Sequence, residues 1–251
     1  MADDDTDDNA PVHCDRHGEA TATYVCGHLF RLPRQQWFGE APAPDFPFPD
    51  AWCADCNAEF LRAGGEWTEE AEECLDLKIL CHHCYQDAMA QSVDTLEGPV
   101  LHAWQEALEA ASEALQVRQQ ALEQDWGISR FERWDYDQGQ GTLTFSNAGT
   151  PCLVADIEFI GTLSRTTGTW LWAWGNFHHQ APVVGRIGAV RGWGEERGFT
   201  PLTVPLWPAE LVDAWEVAGV AAQVLGAQGV YRAPTQNGFL FMALMALRRV
   251  Q

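Results

Sequence analysis

The sequence predicts an α+β protein: an antiparallel sheet packed with helices, preceded by a small zinc-binding module and a long connecting helix. Three observations carry this. Seven of the eight cysteines fall within residues 11–90. Apolar residues recur at three- and four-residue steps from Thr95 to about Trp126, and the remainder alternates period-2 stretches with helical ones. The expected parts are a disordered acidic tail over 1–10, the zinc module over 11–92, the connecting helix over 93–127 and the α+β domain over 128–251.

Five aspartates among the first eight residues repel one another and offer nothing to bury, hence the disordered tail. The Pro-rich run APAPDFPFPD, 41–50, interrupts the module and reads as a loop. Cys53 and Cys56 form one CxxC pair and Cys81 and Cys84 a second, which together supply four thiolates for one tetrahedral Zn²⁺. The second pair opens into YQDAMAQ, a helix whose N-terminal dipole favours thiolate charge. Upstream, Cys14 with His17 and Cys26 with His28 offer four more N/S ligands. Two structural Zn²⁺ ions are expected, because a site with four protein ligands has no open position for chemistry. Spacing leaves two divisions open: the first four ligands against the last four, or a cross-brace that joins Cys14/His17 to Cys53/Cys56. His13, His82 and His83 are read as bystanders, and Cys74 and Cys152 as small buried apolar residues.

In the connecting helix, Leu101, Trp104, Leu108, Ala111, Leu115 and Leu122 form one stripe, interrupted by Arg118. With Ala and Arg in the seam, packing onto its own domain is favoured over a coiled coil. Beyond it, 141–147, 153–163 and TWLWAWGN, 169–176, form an antiparallel meander joined by tight turns. TWLWAWGN has no polar face, so it should be a central strand covered on both sides. A glycine-containing helix follows at 182–198, then a firmer one that begins with Pro208 in its first turn and ends at Gly226. GVYRAP and GFLFMALMAL are strands around a TQNG turn, although the apolar run 239–247 also suits a buried helix.

Charge narrows the function. There are 36 acidic against 15 basic residues, a net −21, and residues 1–90 hold 19 acids against 5 bases, leaving −14. That field repels phosphate backbones and anionic lipid, so neither nucleic acid nor membrane is expected as a partner, whereas a basic protein is. MADDDTDDNA lacks the basic and apolar regions of a signal peptide, so the expected compartment is the cytoplasm, where thiols bind metal rather than pair. His178 and His179 near Asp156 and Glu158 make one conceivable active site, but no nucleophile elbow, HExxH or phosphate-cradling loop accompanies them. The sequence therefore leans away from an enzyme.

Two resemblances add to this. Residues 128–251 resemble an uncharacterised bacterial domain family through WDYDQGQGTLTF (134–145), DIEFIGTLS (156–164), TWLWAWGN, GEERG (194–198) and LGAQGVYRAP (225–234). Residues 14–85 are similar to small bacterial zinc-ribbon-like proteins through Cys14–Gly18, Thr23–Leu29, Ala51–Cys56 and Cys81–Tyr85, which supports His28 as a ligand. Neither resemblance implies an enzyme activity. The expected role is non-catalytic binding of a basic protein by an immunity-type or regulatory protein. The alternative is an enzyme or small-ligand binder with a Trp-lined pocket in the C-terminal domain. The sequence does not fix the oligomeric state.

Overall fold

In this computed structural model the described residues are 11–30, 37–40, 42–43, 46–93, 96–175 and 181–250. The proposed acidic tail and His178 and His179 lie outside them.

The first sheet is built from short strands. β1 (Pro11–Cys14) turns into β2 (Gly18–Cys26), and a 3₁₀ turn (Gly27–Phe30) leads on to β3 (Phe38–Gly39) and β4 (Ala51–Trp52). Helix α1 (Ala54–Arg62), the one-turn α2 (Glu69–Glu72), β5 (Leu77–Cys81) and α3 (His82–Val93) follow. β2 is the organising strand: it pairs antiparallel with β1 and β5 and parallel with β4, which pairs in turn with β3. The Pro-rich run takes no regular structure in its described part, yet Phe48 stacks on His82 at 4.8 Å and its carbonyl accepts from Thr23 Oγ1 at 2.9 Å.

Helix α4 (Gly98–Trp126) runs for 29 residues and ends at Gly127, whose φ of 64° is the left-handed conformation that glycine takes without a Cβ penalty. Its stripe buries Trp104, Ala111, Leu115 and Leu122. It packs against the later helix α7. Arg118, which breaks the stripe, donates to the carbonyl of Ala222 at 3.0 Å, adding a side-chain donor near the end of α7 where the backbone N–H groups of Gly226 and Ala227 also reach that carbonyl.

The second sheet holds β6 (Arg133–Asp137), β7 (Thr142–Asn147), β8 (Thr150–Ser164), β9 (Thr169–Trp172), and then, after α5 (Ala181–Arg197) and α6 (Thr200–Thr203), β10 (Leu206–Pro208). Helix α7 (Leu211–Leu225), β11 (Gly229–Pro234) and β12 (Gly238–Arg249) close the described chain. β8 is long enough to serve three neighbours: β12 runs along one edge, while β7 and then β9 share the other. The meander is as expected, and 239–247 is strand, so the helical option falls.

Three local expectations are corrected. β9 stops at Trp172 because the next residues wind into a 3₁₀ turn, Ala173–Gly175, with the Trp172 N–H donating to Pro205 and no room beside Gly175 for a Cβ, which would lie 2.5 Å from the Pro205 ring. Trp174 therefore leaves the line of Trp170 and Trp172, and Arg191 lies over its ring at 4.9 Å. Pro208 belongs to β10; α7 is instead started by Glu210, whose N–H donates to the Asp213 carboxylate at 2.7 Å. Cys74 and Cys152 are half-buried rather than buried.

The second sheet's core is aromatic. Trp170 and Trp172 are fully buried and meet edge to face at 5.3 Å, and Trp170 meets Phe241 at the same distance. Gly161 makes this possible: a Cβ there would fall 2.5 Å from the Trp170 ring.

Candidate metal centres

One construction is used twice in the N-terminal region. At the junction of β4 and α1, Cys53 ends the extended segment and Cys56 lies one turn into the helix; at the junction of β5 and α3, Cys81 and Cys84 repeat the arrangement. A strand that runs straight into a helix thus aims two sulfurs at one point, and the helix N-terminus places its partial positive charge beside them. Each thiol pair faces a Cys/His pair from a turn. Cys14 and His17 sit in the turn between β1 and β2, and Cys26 and His28 where β2 gives way to its 3₁₀ turn.

Two clusters result: Cys14, His17, Cys81 and Cys84 in one, and Cys26, His28, Cys53 and Cys56 in the other, with the ligand atoms of each group within 4.8 Å of one another. The pairing is nested, first with fourth and second with third. It corrects both divisions read from spacing, and it removes the single four-thiolate site, since the two CxxC pairs belong to different clusters. The cause is β2. Cys26 pairs across the ladder with Leu77 and Ala22 with Cys81, so the β2–β5 ladder separates Cys26 from Cys81 and carries the two CxxC pairs to opposite ends.

The geometry fits a tetrahedral ion. In the first cluster Cys14 Sγ and Cys84 Sγ are 3.8 Å apart, and His17 Nδ1 lies 3.3 Å from Cys81 Sγ, 3.5 Å from Cys84 Sγ and 3.7 Å from Cys14 Sγ. A zinc ion with Zn–S near 2.3 Å and Zn–N near 2.0 Å has tetrahedral edges of about 3.8 Å for S–S and about 3.5 Å for S–N. In the second cluster His28 Nδ1 is 3.4 Å from Cys56 Sγ. Backbone amides reach the sulfurs in both: Cys84 N–H donates to Cys81 Sγ at 3.4 Å and Cys53 N–H to Cys26 Sγ at 3.1 Å. Each cluster, with three thiols and one imidazole, can hold a metal ion.

Protonation points the same way. The backbone N–H groups of Arg16 and His17 hold the Cys14 thiol down at about 6, whereas burial, reinforced by Cys81 and Cys14, pushes Cys84 up to about 12. Burial likewise raises Cys26 and, with the negative charge of its neighbours, Cys56. Several thiolates cannot share so small a volume without a cation among them.

The neighbouring histidines are otherwise engaged. His13 pairs with Glu19 at 3.0 Å, and His82 accepts from the Thr21 N–H at 3.3 Å, its pKa lowered by burial. The sulfur-directed amides and the carbonyl of Cys74, 3.9 Å from Cys56 Sγ, are backbone groups that residue spacing does not reveal.

Elsewhere, the carboxylates proposed for chemistry have cationic partners. Asp156 pairs with Arg248 at 2.5 Å, and Glu158, raised by burial, lies 3.4 Å from Arg186. Trp170 and Trp172 are fully buried, and an apolar cavity of about 330 Å³ lies between Val100, Trp193 and Phe199. No helix among the described residues is long and apolar enough to cross a membrane.

Comparison with known proteins places one family model on the chain, over residues 105–247, described as a family of unknown function, DUF6882. No curated protein and no solved structure matches.

Proposed function

The chain belongs to the family of unknown function DUF6882, and we propose that it is a non-catalytic binding protein, folded around two structural zinc ions outside the family span, that takes a basic protein partner through its acidic surface. The nested closure of two three-thiol, one-imidazole clusters carries this reading. Four protein ligands complete a tetrahedral shell and leave no position for water or substrate, and a soft donor set of this kind selects zinc over magnesium or calcium. The charge supports the partner: −21 overall favours encounter with a basic surface and opposes anionic ones. An immunity-type or regulatory protein that neutralises a basic partner in the cytoplasm fits these properties.

Native mass spectrometry tests the metal part. The protein should carry two zinc ions, and Cys81→Ser and Cys53→Ser should each retain one. A metal-free or single-zinc native species overturns it. Capture from a source lysate tests the partner: a basic protein retained at low salt and released at high salt supports the reading, and retention of no basic protein ends it.

A further inference from the structure

One outer strand of the second sheet, β11, is protected by a side chain, whereas β5 of the first is not. β11 lies at the edge beside β12, but Gln119 of α4 reads it like a missing strand: its side-chain amide donates to the Val230 carbonyl at 2.8 Å, and its side-chain oxygen accepts from the Val230 N–H at 3.1 Å. β5 has no such side-chain partner among the described residues. Among the described residues it pairs with β2 alone, and Leu77, Lys78 and Ile79 are exposed in succession, Leu77 and Ile79 at 55% each. Two large apolar side chains on an open strand form the kind of edge that proteins usually blunt or cover. The one edge cation, Lys78, is neutralised by Asp76 at 2.8 Å.

We propose that the free edge of β5 is the docking site for an extended, basic and apolar segment of a partner protein, which adds to the first sheet as a further antiparallel or parallel strand. This rests on the basic-partner reading above and gives it a place. Backbone hydrogen bonds would supply affinity, and side chains on alternate positions of the incoming strand would meet Leu77 and Ile79. Charge selects the occupant: the segment leading into β5 carries Glu69, Glu70, Glu72 and Glu73 in exposed positions, and residues 55–76 contain eight acids against the single base Arg62. A second copy of this chain is the wrong partner, because each copy brings a net −21 to the contact.

The test uses the full zinc-loaded chain and two synthetic peptides, one alternating lysine with valine over ten residues, the other identical but N-methylated on every backbone amide. Methylation removes the donors along both edges and leaves charge and side chains unchanged. The plain peptide should shift amide resonances along β5 and β2 and bind at least tenfold more tightly than the methylated one. Ile79→Thr should weaken it several-fold, and Glu72→Gln with Glu73→Gln should weaken it and flatten its salt dependence. Each variant must keep two zinc ions, which separates loss of the edge from loss of the fold. Equal binding of both peptides, or shifts away from β5, overturns the edge site while leaving the basic-partner reading standing. Binding of neither peptide overturns the edge site, and the lysate capture then decides the wider reading by itself.

Discussion

In the second sheet the interior is filled by Trp170, Trp172, Phe145, Ile160, Phe241 and Leu244, nearly all without exposed surface; in the first, Cys26, Cys53, Cys56 and Cys81 occupy buried positions beside Val25, Trp52, Tyr85 and Met89. The difference is one of closure. A buried large apolar side chain contributes about 1.5–3 kcal/mol by leaving water, whereas a crowded thiol contributes little and resists ionisation. Strands of two to five residues, such as β1, β3, β4 and β5, need something besides their own ladders to hold them. A metal ion held by the cluster that joins residue 14 to residue 84, and another held by the cluster that joins residue 26 to residue 56, would supply it.

The largest way to break the comparison is to remove metal. Structural zinc contributes on the order of 10 kcal/mol or more to folding of small domains. Chelation should therefore abolish hydrogen-exchange protection in β2, β5 and α1 while amides of β8 and β12 stay protected. Because α3 packs on β10, some loosening should reach that strand. Simultaneous loss of both sheets would show that one cooperative unit spans them. Proton competition for the same thiolate and imidazole ligands should release metal in acid.

The converse perturbation strikes the second sheet alone. Gly161→Ala places a methyl group 2.5 Å from the Trp170 ring and 2.6 Å from the Leu171 carbonyl, both fixed in a packed interior. Overpacking of this kind costs about 3 kcal/mol. A lower melting temperature is expected with zinc content unchanged at two. Loss of zinc in this variant would join the regions more closely than their chemistry suggests.

Gln119→Ala then probes edge protection. It leaves the Val230 N–H and carbonyl without their side-chain partner, at a cost of about 1–2 kcal/mol. Faster exchange at Val230, with β12 unaffected, is the expected signature, and it would make β11 resemble β5.

How much of this was legible depended on how local each determinant is. The meander from β7 to β9 was legible because alternation and turn residues act over a few positions, and α7's end at Gly226 followed from one glycine. The eight residues of the clusters were legible as types at chelating distances along the chain. Their nested partition was not, since it depends on β5 pairing with β2, a contact between residues more than fifty apart. β6 and β10 escaped for a similar reason: RWDYD and LWP carry little alternation of their own and become strands by pairing with β7 and β9. Arg118 looked like a defect in an apolar stripe until the Ala222 carbonyl came into view. The early end of β9 depended on Pro205, thirty residues on, and spacing within TWLWAWGN contains no trace of it.

The smallest effect concerns the end of α4, the helix that leads from one region to the other. Past Gly127 the chain folds back, and Ser129 donates to the Glu123 carboxylate twice, from its N–H at 3.0 Å and its Oγ at 2.6 Å. The side-chain bond, followed by the backbone one, holds Glu123 below its ordinary value of 4.5. A carboxyl whose folded pKa is depressed stabilises the fold above its unfolded pKa, and that contribution is lost as pH falls through the lower folded value. Glu123 is only partly buried, so solvent screening limits the effect to about 0.5 kcal/mol. Glu123→Gln should melt slightly below the wild type at pH 7, and the gap should close as both are taken below about pH 4. Metal release in acid affects both proteins alike, so their difference isolates the carboxylate. A gap that stays constant across this range would mean that the turn is held by its backbone alone, with Gly127 rather than Glu123 setting where the helix stops.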